Sequence, residues 1–178
     1  MPKRSSLFFK YTSGILCLFF LFSLTSARRV PSGPAFSKPK VLVFYKTNGY
    51  HHASIANGLT AITKLGAENG FDVDSTADST RFRRKILKKY AALIFLSPTG
   101  KVFGPNEEKA LQEYIQHGGG YVGIHSATDC EYNWQWYGDL VGGYFSSHPK
   151  EQQVAKLIVV DKDNAATKGL PDPWERKD

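Results

Sequence analysis

The stretch YVGIHSATD, residues 121–129, decides how this 178-residue chain folds. Its first four residues, Tyr121–Ile124, are small or apolar, as a strand covered on both faces requires. His125 follows at once, with Gly123 two positions before it and Ala127 two positions after. A sharp strand-to-helix elbow demands small residues at that spacing, because the turn crowds the flanking side chains. Histidine holds the reactive position, where a covalent hydrolase would carry serine or cysteine. That disfavours such a hydrolase and leaves a general acid–base or a metal ligand. A histidine that merely satisfies its own hydrogen bonds at a strand end is the plain alternative.

Upstream of this segment, strand and helix patterns alternate. Val41–Tyr45 (VLVFY) and Ala91–Leu96 (AALIFL) are continuous apolar runs rich in strand formers, and Phe71–Ser75 is a shorter one. Between them Ile55, Leu59, Ile62 and Leu65 recur at helical spacing, with Gly70 as a stop. Ser79 or Thr80 is the expected cap of a helix running through Leu87. Pro105 opens a further helix with Ala110, Leu111, Tyr114 and Ile115 inward, ended by Gly118–Gly120. Downstream, a short helix is expected within Tyr132–Val141 and a fifth strand over Gln153–Asp161. Such alternation implies an α/β fold with a mainly parallel sheet and helices on both faces.

In such sheets the ligand crevice lies beyond the carboxyl ends of the strands. Lys46–His52, Ser97–Gly104 and His125–Asp129 should therefore converge, and they hold most of the unusual polar chemistry. The helix start in TNGYHHASI (47–55) offers backbone N–H groups to sugar oxygens or an anion. His51 and His52 are adjacent, so only one need face the crevice. Asn48, His52 and Ser126 are candidate substrate contacts. Trp136, beside Trp134 and Tyr137, is either core packing or a wall on which a sugar stacks. A third histidine, His148, lies in GGYFSSHP (142–149), where two glycines and a proline shape the loop. His52, His125 and His148, with Asp129 nearby, are a candidate zinc-type set, although no local spacing rule supports it. Paired acid–base histidines without metal are the alternative. Cys130 reads as a buried structural thiol.

The net charge of +7 divides unevenly. Lys3, Arg4 and Lys10 precede the apolar run Ile15–Leu24 and the small residues Thr25-Ser26-Ala27, the pattern of a signal peptide over 1–27. That run falls short of the roughly 20 residues of a membrane span, so export with transient membrane contact is expected. An uncleaved anchor is the alternative. Cleavage removes Cys17 and leaves Cys130 alone, which excludes an internal disulfide. Residues 28–39, with three prolines, form a linker. Arg81–Tyr90 (RFRRKILKKY) carries six bases, but its apolar residues share one helical face, as on a solvated surface helix. Glycine-rich phosphate loops after a strand are missing, and nucleic acid is not expected as a partner.

Taken in order on those strand ends, TNGYHHASI, GIHSATD and GGYFSSHP resemble the ThuA-like (trehalose utilisation) family over essentially all of 40–178. The resemblance implies a flavodoxin-like, three-layer fold of the class I glutamine amidotransferase type, with the usual cysteine nucleophile replaced. It implies chemistry on trehalose-type or keto disaccharides, a small carbohydrate partner, and His52, His125 and His148 as the matching site residues. Gly49, Gly123, Ser126, Asp129 and Gly143 would shape the loops. On this reading His125, His148 and Asp129 are catalytic, by acid–base or metal-assisted chemistry. Ala53 departs from the acidic residue often found after the family's histidine. The chain also reads Glu175-Arg176-Lys177-Asp178 where the family continues, so the domain is expected to be cut short. A non-catalytic carbohydrate-binding module and a glutaminase-like hydrolase using Cys130 are the competing functions.

Overall fold

The computed structural model describes residues 38–177. The expected leader, 1–27, and the linker as far as 37 lie outside the described residues. Among the described residues no helix is long and apolar enough to cross a membrane.

Four five-residue strands form the central sheet: β1 (Lys40–Phe44), β2 (Asp72–Thr76), β3 (Ala92–Leu96) and β4 (Gly120–Ile124). They run in the order β2-β1-β3-β4 and every pairing is parallel. Alternation along β1 explains the layers. Leu42 and Phe44 face one core with Leu93 and Phe95, whereas Val43 faces another with Leu96.

The Val43 face is covered by α1 (Ile55–Asn69), which ends at left-handed Gly70 as expected. Its contact stripe differs from the sequence reading, because Leu65 is 51% exposed and Ile55, Ile62 and Gly66 are buried. A Cβ on Gly66 would stand 2.8 Å from Val73 Cγ2, and one on Gly58 would stand 2.8 Å from Leu96 Cδ1. The helix therefore lies against the sheet through its glycines, too close for Leu65 to share the contact.

The opposite face packs against α2 (Arg84–Leu87), α3 (Pro105–Gln116) and α4 (Gln135–Val141). The result is the three-layer α/β sandwich anticipated. Pro105 opens α3, and the Glu107 carboxylate accepts the Gly104 N–H at 3.1 Å. The helix expected from Ser79 or Thr80 to Leu87 is instead two pieces, a 3₁₀ turn (Ser79–Arg81) and α2. Asp78 is the true cap, taking the Thr80 N–H at 2.9 Å. Extended Arg83 (φ −131°, ψ 138°) breaks the helix just after Phe82 has entered the core.

The fifth strand is shorter than expected and does not join the parallel sheet. β5 (Val154–Leu157) pairs antiparallel with β6 (Trp174–Lys177), where Glu175 stands opposite Lys156 and binds it at 3.2 Å. An exposed cross-strand ion pair accompanies this pairing, and the apolar residues of β5 stay outside, Val154 being 71% exposed.

Phe44 is the centre of the larger core. Its ring lies 4.7 Å from Phe82, 5.3 Å from Phe95 and 5.1 Å from Phe103. Replacing Phe44 by alanine should cost about 3–5 kcal/mol in urea unfolding, because the rigid sheet cannot collapse into the void. Leu65→Ala should cost well under about 1 kcal/mol in the same measurement.

Candidate functional site

Parallel strands deliver three loops to one edge, and buried polar residues fasten the loops together. The first is held by Thr99, which is 1% exposed. Its backbone carbonyl accepts the Asn48 N–H at 2.9 Å, and its hydroxyl accepts the Gly49 N–H at 3.2 Å. The same hydroxyl donates to the Tyr50 carbonyl at 2.9 Å. Asn48 donates its side-chain amide to the Lys101 carbonyl. That bond makes Asn48 part of the loop fastening, and it does not line the cavity described below.

The second fastening is Glu131, 2% exposed. Its Oε1 accepts the N–H groups of Val102 at 2.6 Å and Phe103 at 2.8 Å, while Lys101 Nζ lies 3.4 Å from Oε2. Backbone bonds from Gly100 N–H to the Asp129 carbonyl (2.9 Å) and from Glu131 N–H to the Gly100 carbonyl (3.2 Å) complete the seam. The sequence reading missed both Thr99 and Glu131.

The elbow forms as anticipated. Immediately after β4, His125 adopts φ +53° and starts a 3₁₀ turn (His125–Thr128). A Cβ on Gly123 would lie 3.1 Å from the Ala127 Cβ, which is the crowding that demands small residues there. Ser97 (φ +49°) and Glu131 (φ +56°) share the left-handed conformation, so each non-glycine residue so placed among the described residues lies on these loops. Such placements cost free energy and cluster at functional sites.

Above the elbow lies a cavity of about 490 Å³ lined by Tyr50, His52, His125, Ser126, Asp129 and His148, together with Thr128 and Phe145. Its size suits a small molecule. Of the adjacent pair, His52 enters the cavity. His51 is exposed, with Nδ1 3.2 Å from Thr47 Oγ1. The His52 and His125 rings meet edge to face, 4.5 Å apart, and Ser126 Oγ lies 3.5 Å from His52 Nδ1. Asp129 is oriented by the Tyr132 hydroxyl, which donates to its Oδ1 at 2.5 Å. Burial, and then that carboxylate, push the Tyr132 hydroxyl up to about 12, so it remains a donor. The Phe145 N–H donates to the Thr128 carbonyl at 2.9 Å and brings the loop of His148 to the cavity.

The structure thus gathers His52, His125, Ser126, Asp129 and His148, but not Asn48 or Trp136. Trp136 lies tilted against Trp134, with ring centroids 5.0 Å apart, and packs on the core, as its core-packing reading holds. Among the described residues no three His, Cys, Asp or Glu side chains are placed to share a metal ion. The His52 and His125 rings meet directly, and His148 lines the same cavity from the third loop. Cys130 is fully buried, its sulfur 3.3 Å from the Tyr137 hydroxyl, and burial pushes its thiol up to about 12. A protonated thiol away from the cavity is no nucleophile, so the glutaminase-like alternative on Cys130 is set aside.

Burial holds His52 below the ordinary histidine value, and His125 adds to the depression against an opposing pull from Asp129. Proton NMR titration should place His52 below about 6.5, and His125→Ala should raise it. The folded state resists protonation of His52, so its contribution is present above pH ~6.5 and is lost as pH falls toward the depressed value. Glu131→Ala strands two buried N–H groups and should cost about 3 kcal/mol in chemical unfolding.

Residues 40–178 match the family described as ThuA, trehalose utilisation. Two solved structures are similar, each of a protein described as ThuA-like. The one from Bacteroides uniformis ATCC 8492 is 28% identical with a TM-score of 0.67, over 78% of this chain and 58% of that one. The one from Parabacteroides merdae ATCC 43184 is 22% identical with a TM-score of 0.62, over 79% and 61%. The chain therefore spans about three-fifths of the length of these two structures. No curated protein matches. Because the family match runs through the whole parallel sheet and all three loops that frame the cavity, the chain belongs to the ThuA (trehalose utilisation) family.

Proposed function

We propose that this chain is an exported, sugar-active enzyme that performs acid–base chemistry on a trehalose-type keto disaccharide in the cavity above β4. The observation that carries the reading is the His52–His125 pair, two imidazoles 4.5 Å apart at the head of an elbow. Two imidazoles so close do not both hold a proton readily. Burial lowers the proton affinity of His52, which suits it to take a proton while a second group on the same cavity delivers one. A ketone acidifies the C–H bond beside it, which gives such a pair a bond within reach of a neutral imidazole. Asp129, fixed by Tyr132, supplies a charge that steadies the protonated ring. His148 and Ser126 face the same space and serve to hold sugar hydroxyls, while the Tyr50 and Phe145 rings offer apolar walls. The signal-peptide pattern of 1–27, a basic start before an apolar run and small residues, supports a periplasmic or extracellular location.

His125→Ala should lower kcat on a 3-keto disaccharide by about a hundredfold or more, with an unchanged circular dichroism spectrum. Undiminished turnover would overturn the assignment. Calorimetry alongside product analysis separates this reading from a non-catalytic carbohydrate-binding module, which would bind the sugar and release it unaltered.

A further inference from the structure

Another large cavity lies at the other end of the sheet. Ala91 immediately precedes β3 and Gly118–Gly119 precede β4, so this cavity, of about 410 Å³, opens at the amino ends of the strands between α2 and α3. We propose that it is a separate binding site for a small molecule that joins a flat apolar body to an anionic group such as a phosphate or carboxylate.

The apolar half of the argument rests on what the tyrosines present. Tyr90 and Tyr114 both line the cavity, but their hydroxyls are used elsewhere. Tyr90 donates to Asp74 Oδ2 at 2.8 Å, and Tyr114 donates to the Tyr90 carbonyl at 3.1 Å. What remains for a ligand is chiefly the half-buried Tyr114 ring, with Tyr90, Leu87 and Ala110 buried beneath it as an apolar floor. Such a lining suits a flat hydrocarbon body and offers few partners to a sugar.

The anionic half rests on Arg84 and Lys88. Both line the cavity, both are exposed, and neither side chain has a hydrogen-bonded or ion-paired partner among the described residues. They stand four residues apart on successive turns, where like charges repel. An anion seated between them would turn that repulsion into two attractions. Glu113 is the single carboxylate of the lining, so the cations outnumber it. Arg83, Lys85 and Lys89, also of the basic stretch, do not line the cavity but raise the local positive potential. Part of that stretch is therefore a cationic rim to the cavity, and the rest is an ordinary solvated face.

Phenyl phosphate titrated into the ¹⁵N-labelled chain tests the site. The amide signals of Ala91, Gly118 and Gly119 should move saturably, and inorganic phosphate or phenol alone should bind more weakly. The double variant Arg84→Ala, Lys88→Ala removes only exposed charges that repel one another, so its melting temperature should not fall below the parent's. Its Kd for phenyl phosphate should rise about fivefold, and added salt should weaken binding by the parent. Shifts confined to the neighbourhood of His52 and His125, no saturable shift, or equal affinity in the double variant would each overturn the proposal. None of these outcomes depends on the sugar chemistry of the histidine cavity.

Discussion

Four strands running in one direction impose a condition that a meander would not. Every connection must return the chain to the same starting edge, so the loops that leave the strands gather on the opposite edge with their polar backbone groups exposed to one another. Here that gathering is stabilised from within. Thr99 ties the loop after β3 to the loop after β1, and the Glu131 carboxylate ties it to the segment after the elbow. The histidine cavity is the space left above this fastened edge. Its geometry follows from sheet direction first and from buried polar bonds second.

The inner strands β1 and β3 were legible because they are largely buried and carry almost unbroken apolar runs, VLVFY and AALIFL, whereas the edge strands β2 and β4 stay half exposed and left a weaker pattern. The elbow was legible for a similar reason, since crowding between positions 123 and 127 leaves a sequence trace in small residues. The fastenings left no comparable trace. Glu131 reads as one more acid, and only the folded chain brings Val102 and Phe103 to its carboxylate, 29 and 28 residues away. An acid set directly between a buried cysteine and an aromatic residue was the available signal. Near Ser79 the local rule was right in kind but one residue late, because Asp78 is the stronger acceptor and the demand to bury Phe82 then broke the helix.

Histidine pairing was legible only in part. Three loops were expected to bring their histidines together, and the cavity does hold His52, His125 and His148. Which two would touch was set by side-chain direction, a property of the elbow's backbone rather than of spacing. The edge-to-face contact of His52 with His125, and the depressed proton affinity of His52, arise from that direction and from the burial that accompanies it.

The left-handed backbone of Ser97, His125 and Glu131 has a consequence for anyone who would engineer this chain. Glycine adopts that conformation without penalty, whereas each of these residues opposes it by about 1 kcal/mol or more. A search for thermal robustness guided by backbone preference alone would select all three positions for glycine. At His125 the gain would remove the ring at the mouth of the elbow, and at Glu131 it would release the loop that fixes the cavity's rim. Tolerance to heat and capacity for chemistry thus pull against each other at the same few dihedral angles.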